Sequence, residues 1–532
     1  MTSARTHPST DPVFHPVVGP GAAFIPVAWL VAFLVVPVVL LVTGDTDFDD
    51  VTRILTRRST WNVVWFATWQ AVLSVVATFI VAGPVTWLIS RHRFRWRRAL
   101  RAVTTIGFLL PSVVVATAFL AVLPRSLHYS VFAVVIAHAY FNIAVVVRVV
   151  GARAESLDAQ LSLAAQTLGA TPPMAWRTIT VPMLRNSIAS AGTVVFLYCF
   201  SSYAVIRVLG GPRRSTIESD IALRAFGIGD VGGASVLALL QMLCIGVVAG
   251  AIHLLARSNG KPTRAPSAML PTIPDNRRRT AIAIAAVTVA FVIAPLSALF
   301  WQSVHVGDTV SARAWQSIFN TSLIESVWTS TRTALVAGLV GTVLCILATL
   351  AITRLRTGGN VVNSLTLAPL AMSPVTIGLG LLVTFDSGWF DWRSRWWFVA
   401  LAHTLVSFPL AVRVLVPAWR TTPVGLHRAA AVLGAGGGRR LIDIDLRRMR
   451  PAIVASLGLV VAVSLGEFGA ASMLSREGAE TIPVAIARLL SRTGDEVRAQ
   501  AFALASILVV VCVMALAIVE MALQRGEHAS RR

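Results

Sequence analysis

The sequence predicts an all-α, polytopic membrane protein with about twelve transmembrane helices in two parallel six-helix repeats. Three observations support this prediction: an apolar composition, twelve apolar runs of spanning length, and a sequence repeat. Of the 532 residues, 56% are hydrophobic and only 13% are charged, and the mean hydropathy is +0.74. Soluble proteins carry about a quarter charged residues. The composition therefore excludes a soluble enzyme, a disordered scaffold and a secreted disulfide-rich protein.

The apolar runs are continuous rather than alternating, which favours helices over a β-barrel. A helix needs about 20 apolar residues to cross the hydrocarbon core. The first run follows a polar stretch and has an acidic flank, so we expect a permanent helix rather than a cleaved signal peptide. The predicted spans are 23–43, 61–89, 102–123, 129–150, 188–209, 231–256, 280–301, 326–352, 362–385, 397–418, 451–471 and 500–523.

The charge distribution predicts the orientation. The formal net charge is +22, and a cytoplasmic N-terminus places 30 of the 46 basic residues on the inner side. The positive-inside rule then predicts that both termini are cytoplasmic. Nucleic-acid binding is the weaker interpretation of this charge, because the basic residues lie between apolar runs rather than on a polar domain. The main exceptions, which would lie outside, are Arg207, Arg213, Arg214 and Arg224.

A repeat recurs at a constant spacing of 265 residues, from Gly169 to Gly434. The segment 163–188 aligns with 428–453, and the alignment extends upstream without gaps to His138 and His403. Six helices in each half place both ends of a half on one side of the membrane, so the halves are parallel rather than inverted. The predicted divisions are a first half at 1–256, a cytoplasmic linker at 257–279 and a second half at 280–532.

Each copy of the repeat lies between the fourth and fifth helices of its half, on the predicted cytoplasmic side. It consists of an Ala-Ala helix, a Gly turn and a second amphipathic segment, and Gly suits the turn because it accepts positive φ. These loops resemble the cytoplasmic signature of permeases of ATP-binding-cassette importers: Glu-Ala-Ala, a Gly after three further residues, then Ile-x-Leu-Pro. The matching residues are Ala164, Ala165, Gly169, Ala170, Ile179 and Pro182 in the first copy, and Ala429, Ala430, Gly434, Ala435, Ile444 and Leu446 in the second.

The copies depart from this signature at four positions. Leu163 and Arg428 replace the glutamate, Val181 replaces the first copy's leucine, and Arg447 replaces the second copy's proline. A charge-pair role for the glutamate therefore does not carry over. The string from Cys199 to Glu218 is similar to the fused two-half permeases of the thiamine and iron(III) importer group, and most similar to its thiamine branch.

The resemblance implies a non-catalytic permease subunit of the bacterial inner membrane. It would work with two ATP-binding-cassette ATPase subunits, one at each repeat loop, and with an extracytoplasmic solute-binding protein. The chain lacks a phosphate-binding loop of its own, because at its only lysine, Lys261, Leu255 replaces the motif's first glycine and Pro262 replaces its hydroxyl residue. We expect membrane lipids as neighbours, and no cofactor, metal or nucleic acid.

Polar groups within apolar helices predict the translocation pathway. Glu467 is the principal candidate, and Ser202 is its counterpart in the first half. Tyr203 and Phe468 follow them, so the two pairs are expected to face each other across the interface between halves. A carboxylate beside aromatic rings suits a cationic organic solute. The competing interpretation is that Glu467 pairs with an arginine and is structural.

His138 and His403 lack the further ligands that a metal site needs, which favours hydrogen bonds between helices. The most favoured solute is thiamine-like, and the alternatives are iron(III) or a polyamine carried by the same family. A twelve-helix secondary transporter is the other class with two six-helix halves, but the repeat loops have no purpose in it. A membrane enzyme is disfavoured because the sequence has no catalytic motif.

Overall fold

The computed structural model describes residues 21–44, 46–211, 214–257, 272–307, 309–355, 358–386, 392, 395–476 and 478–530. Most of the predicted linker, including Lys261, lies outside the described residues, as does Arg213. Contacts divide the chain into two compact units: unit 1 is Met1–Gly44, Val327–Thr481 and Val510–Arg532, and unit 2 is Asp45–Ser326 and Ile482–Val509. The predicted all-helical membrane fold is confirmed.

Unit 1 contains the first predicted span together with most of the second half. Two helices, α16 and α25, begin in unit 2 and continue into unit 1. The helices are α1 (Gly21–Leu30), α2 (Val36–Thr43), α16 (Leu323–Arg354), α17 (Gly359–Leu367), α18 (Pro374–Phe385), α19 (Trp396–Arg420), α20 (Val424–Val432), α21 (Gly437–Arg440), α22 (Arg447–Gly466), α23 (Gly469–Leu474) and the later part of α25 (Asp495–Ser530).

Unit 2 contains the rest of the first half together with the seventh predicted span. A short antiparallel hairpin pairs β1 (His305–Val306) with β2 (Thr309–Val310). The helices are α3 (Phe48–Thr56), α4 (Arg58–Arg91), α5 (Arg97–Leu109), α6 (Ser112–Val122), α7 (Val131–Glu155), α8 (Ala159–Thr167), α9 (Pro172–Ala175), α10 (Val181–Phe200), α11 (Tyr203–Leu209), α12 (Ile217–Ala222), α13 (Val231–Arg257), α14 (Arg278–Ser303), α15 (Arg313–Asn320), α24 (Ile482–Leu490) and the start of α25.

Ten helical segments among the described residues are long and apolar enough to cross a membrane, and the total is twelve if each of two bent pairs is one span. The pair α5 and α6 bends by 103°, and the segment Gly359–Ala371 bends by 101° against α18. Proline lies at both bends: Pro111 directly precedes α6, and Pro374 opens α18. Proline disfavours the α conformation in the residue before it and suits the first helical turn, so one helix ends and another begins.

The predicted spans 188–209 and 451–471 are each wrong as single helices. The first is interrupted after Phe200, where α10 ends, and the second after Gly466, where α22 ends. Short helices follow both interruptions, α11 from Tyr203 and α23 from Gly469. Apolar runs do not reveal these interruptions because the short helices are themselves apolar and buried.

Each compact unit takes the first helix of the other predicted half. In unit 1, the ring of Trp29 lies 5.3 Å from that of Phe408, and the close approach of Pro37 to Gly380 packs α2 against α18. In unit 2, the Tyr140 hydroxyl of α7 donates to the Val292 carbonyl of α14 at 3.0 Å. The division at 1–256 and 280–532 remains a prediction about the sequence, and the compact units are drawn across it.

Candidate functional site

The two repeat loops, 158–187 and 423–450, contain the same elements in the same order. The first contains α8, a turn, α9 and a π-helical segment, Trp176–Thr180, that leads into α10. The second contains α20, a turn, α21 and the π-helical segment Leu441–Leu446, which leads into α22. The sequence repeat is therefore also a repeat of local structure.

The turn of the first repeat loop is a Schellman motif, in which a left-handed residue ends the helix. Gly169 has φ +90°, and its N–H donates to the Gln166 carbonyl at 3.0 Å. The N–H of Ala170 donates to the Ala165 carbonyl, also at 3.0 Å. Left-handed backbone costs an L-residue about 1–2 kcal/mol, and this cost explains the glycine.

The second repeat loop forms the same turn around Gly434, which has φ +79°. Its N–H donates to the Ala431 carbonyl at 3.0 Å, and the Ala435 N–H donates to the Ala430 carbonyl at 2.9 Å. A Cβ placed on Gly434 would meet no atom within 4 Å, and the same holds for Gly169 in the first loop. Backbone conformation, rather than lack of space, thus selects glycine at both turns.

Apolar side chains are exposed next to both turns. Leu168 is 89% exposed, and its repeat partner Leu433 is 85% exposed. Ala164 and Ala429 are exposed at equivalent places one helical turn earlier. Exposed leucines beside small alanines form a shallow apolar surface, which is typical of a site that another protein covers.

The C-terminal parts of the repeat loops are more buried than the turns. Ile179, Ile444 and Leu446 are half-buried, whereas Pro182 is exposed in the first turn of α10. Ala165, Ala170, Ala430 and Ala435 are half-buried as well. The signature-glutamate positions, Leu163 and Arg428, are both exposed. These residues occupy equivalent places in the two loops, and their predicted role in contacting an ATPase remains a prediction.

A buried ionic cluster in unit 1 holds the second repeat loop. Arg354, the last residue of α16, lies 2.8 Å from a carboxylate oxygen of Asp445, and the other oxygen is 3.1 Å from Nε2 of His427. The Arg354 guanidinium also lies 5.5 Å from the ring centre of Trp419. Burial lowers the pKa of His427 below its ordinary value, which favours a neutral imidazole beside the carboxylate. Spacing alone gives no signal for this cluster.

Ser202 and Tyr203 lie where α10 gives way to α11, and both are in unit 2. The Ser202 hydroxyl is 2.8 Å from Nε2 of His138, whose Nδ1 is 3.0 Å from the Ser74 hydroxyl. Tyr203 is buried as the first residue of α11. His138 thus joins α7 to α4 and to the interrupted helix, as expected for a structural hydrogen bond.

Glu467 and Phe468 lie at the equivalent interruption in unit 1. Both are buried, and the Glu467 carboxylate accepts the Ala470 N–H at 2.9 Å. Among the described residues no arginine pairs with Glu467, so the pairing required by the competing, structural interpretation is not observed. His403 lies 2.8 Å from the Ser464 hydroxyl in the last turn of α22. The two predicted pathway pairs therefore occupy equivalent breaks in separate units, and their pathway role stays a prediction.

A charged network that no sequence pattern indicates lies on the predicted outer side of unit 2. Asp230 accepts from Arg53 at 2.8 Å and from Arg224 at 2.9 Å. Arg224 also contacts Asp220, and Arg53 also pairs with Asp50. The Arg53 hydrogen bond holds the pKa of Asp230 well below its usual range. Arg224 is one of the arginines predicted to lie outside against the positive-inside rule, and its pairing with two carboxylates offsets its charge there.

Unit 2 also contains a buried carboxylate, that of Glu218. Glu218 is buried in α12 and accepts from the Gln241 amide at 3.1 Å. Within the part of the chain that the structure describes, no group of three or more His, Cys, Asp or Glu residues could hold a metal ion. His138 and His403 accordingly contact serine hydroxyls in their own units.

Comparison with known proteins identifies similar chains. The family model for the inner membrane component of binding-protein-dependent transport systems matches residues 74–258 and 341–526, one match for each copy of the repeat. The thiamine transport system permease protein ThiP of Escherichia coli (strain K12) is 27% identical over 460 residues, covering 82% of this chain and 84% of that protein. The ThiP protein of Brucella abortus (strain 2308) is 25% identical over 548 residues, covering 98% of both.

A third relative is similar over a shorter segment. The sulfate transport system permease protein CysW of Escherichia coli (strain K12) is 30% identical over 171 residues. This segment covers 30% of the present chain and 59% of that protein. Similarity over nearly the full length is thus seen with the ThiP protein of Brucella abortus, whereas CysW matches only part of the chain.

Proposed function

Since the chain belongs to the family of inner membrane components of binding-protein-dependent transport systems, we propose that it passes a thiamine-like organic cation across the bacterial inner membrane. The chain is the permease subunit of an ATP-driven importer and a multi-pass membrane protein. Its proposed solute rests on the names of its relatives and on the chemistry of the interrupted helices.

Two observations support a thiamine-like solute. The relatives that match 98% of the chain are thiamine permeases by name, and the sequence carries a buried carboxylate, Glu467, directly before the aromatic Phe468. A carboxylate attracts a cationic ring by charge, and an aromatic face adds cation–π attraction. Discontinuous helices commonly form solute sites near the middle of the membrane. Ser202, Tyr203, Glu467 and Phe468 are the proposed pathway residues.

The decisive test for the solute uses the cognate binding protein. Thiamine, thiamine phosphates, iron(III) and polyamines are titrated against it by calorimetry, and uptake of the bound solute is then followed in proteoliposomes that contain the whole complex. Thiamine or a phosphorylated form is expected to bind and to be taken up. Binding of iron(III) or a polyamine alone would assign the permease to the alternative solutes of the same family.

The proposed coupling mechanism places one ATPase subunit at each repeat loop. The observation that supports it most strongly is the pair of matched Schellman turns with exposed Leu168 and Leu433. ATP binding would draw the two ATPase subunits together, and each loop would transmit this motion to its helices. The chain itself is then non-catalytic, and energy comes from its partners.

Purification tests this assignment directly. The chain alone is expected to hydrolyse no ATP and to co-purify with an ATPase when both are produced together. Uptake by the chain alone, driven by an ion gradient, would instead establish the secondary-transporter alternative. An extracytoplasmic solute-binding protein is the second expected partner, and its addition is expected to stimulate ATP hydrolysis by the complex.

The proposed orientation has both termini and both repeat loops in the cytoplasm, supported by the distribution of basic residues. Single cysteines introduced at Thr167 and Arg439, both exposed, report the sidedness of the loops. In a background without the four native cysteines, a membrane-impermeant maleimide should label these sites in inverted vesicles and leave them unlabelled in intact cells. Labelling in intact cells would reverse the topology.

A further inference from the structure

We propose that Arg354, Asp445 and His427 form an ionic latch that fixes the second repeat loop to the helices of its own unit. Among the described residues the first repeat loop shows no equivalent ion pair, so the two loops transmit motion with unequal stiffness. This inference rests on the proposed coupling function of the loops. It adds a mechanical difference between two sites that the sequence repeat presents as equivalent.

The latch connects three parts of unit 1. Arg354 ends the long membrane helix α16, His427 lies in α20, and Asp445 lies in the π-helical segment before α22. The Arg354 and Asp445 side chains are 4% and 0% exposed, and that of His427 is 1% exposed. A charge pair so completely buried is screened little by salt. Asp445 thereby attaches the end of the second loop to α16, and His427, near the start of the loop, lies against the same carboxylate.

Trp419 strengthens this attachment from the end of α19. Its buried ring lies 5.5 Å from the Arg354 guanidinium, within the range of cation–π attraction. The guanidinium therefore contacts a carboxylate and an aromatic ring that belong to different helices. Because α16, α19 and the second loop share one guanidinium, displacement of the loop must either move these helices or break buried interactions.

The first half has an arginine at the corresponding helix end but lacks its partners. Arg91 ends α4 as Arg354 ends α16. At the repeat spacing, Ser162 replaces His427 and Thr180 replaces Asp445. Across the described ranges Arg91 forms no ion pair. Thr180 is buried, so a neutral hydroxyl takes the place of the Asp445 carboxylate in the first loop.

The two repeat loops therefore differ in how firmly each is held to the membrane helices of its own unit. Separating a buried ion pair leaves an uncompensated charge in the interior. Arrangements of the second loop that lack this pair are therefore unfavourable in free energy. Neutral contacts at Thr180 have no such restriction. We expect the second loop to move together with α16 and α22 as a lever, and the first loop to shift against α4 before its helices respond.

The first experiment compares amide hydrogen exchange of the two loops in the full chain reconstituted in lipid nanodiscs. Segment 424–446 is expected to exchange at least tenfold more slowly than segment 159–180. The variant Asp445→Asn should remove this difference, whereas the matched variant Thr180→Asn in the first loop should change exchange less than twofold. Equal exchange of the two wild-type loops would overturn the proposal.

The second experiment measures transport per ATP hydrolysed in the assembled complex with its binding protein. Asp445→Asn is expected to lower this ratio at least fivefold while the ATPase still co-purifies, and Thr180→Asn should leave it within twofold. A merely structural role would reduce the yield of the complex without changing the ratio. An unchanged ratio for Asp445→Asn overturns the latch, whereas failure of the wild-type chain to bind any ATPase overturns the proposed function instead.

A combined variant keeps the proposal falsifiable if Asp445→Asn fails to fold. Replacing all three members together, as Arg354→Met, His427→Ser and Asp445→Thr, removes the buried charges at once and is generally tolerated better than removing one. The last two changes install the residues found in the first loop. Fast loop exchange with a low transport ratio supports the latch, and wild-type behaviour in both measurements refutes it.

Discussion

Replacing Gly434 with alanine is expected to weaken ATPase binding through backbone conformation alone. Gly434 has φ +79°, and an added Cβ would meet no atom within 4 Å. The cost is therefore that of left-handed backbone in an L-residue, about 1–2 kcal/mol. If the partner recognises the intact Schellman turn, this cost appears in the binding free energy and raises Kd about 5–30-fold.

Two control variants separate conformation from bulk. Asparagine tolerates left-handed backbone better than other L-residues, so Gly434→Asn should bind more tightly than Gly434→Ala although its side chain is larger. Gly438 lies four residues later in α21, has open space around it and lacks a positive φ. Gly438→Ala should therefore leave Kd within about threefold, since alanine favours helix.

The assay is equilibrium binding of the purified ATPase subunit to the permease in nanodiscs, with circular dichroism to confirm folding. The reasoning fails if Gly434→Asn binds as weakly as Gly434→Ala, because bulk would then be the cause. It also fails if Gly438→Ala shows the same loss, because the turn would then have no special role.

Three other perturbations test separate parts of the structure. Leu168→Asp and Leu433→Asp should each lower ATPase co-purification at least tenfold, since a buried leucine contributes about 1.5–3 kcal/mol; unchanged co-purification would show that these leucines are not covered. Glu467→Gln should raise the KM for a cationic solute at least tenfold with ATPase binding unchanged, and an unaltered KM would remove this carboxylate from the pathway. Stability from the pair Asp230 and Arg53 is present at neutral pH and should be lost as pH falls below about 4 through the lowered pKa of the carboxyl; thermal melting of Asp230→Asn should depend less on pH in that range, and an identical profile would contradict this.

Composition and repetition predict much of this molecule. Twelve apolar runs correspond to ten single spans and two bent pairs. The repeat spacing aligns Gly169 with Gly434, which predicts the same turn in both loops. Both residues have a positive φ, the backbone conformation that favours glycine. Local rules suffice here, since a turn depends on residues that are neighbours in the chain.

Interactions between distant residues escape such reasoning. Asp445 and Arg354 are separated by 91 residues, and Asp230 and Arg53 by 177, so neither pair has a local pattern. Interruptions before Tyr203 and Gly469 are hidden because apolar residues continue on both sides, although the polar Ser202 and Glu467 lie at the breaks. Membership of the compact units is equally concealed, since hydropathy identifies a span but not its neighbours.

Each compact unit contains the first helix of the other predicted half, and this arrangement affects how the chain folds during synthesis. The helix segment Ala23–Thr43 emerges first, yet the remainder of its unit begins only at Val327. At typical ribosome speeds the intervening stretch takes roughly 15–60 s to produce. During that interval this hydrophobic segment lies in the bilayer without the helices that it finally packs against. We therefore expect insertion factors and quality-control proteases to bind it.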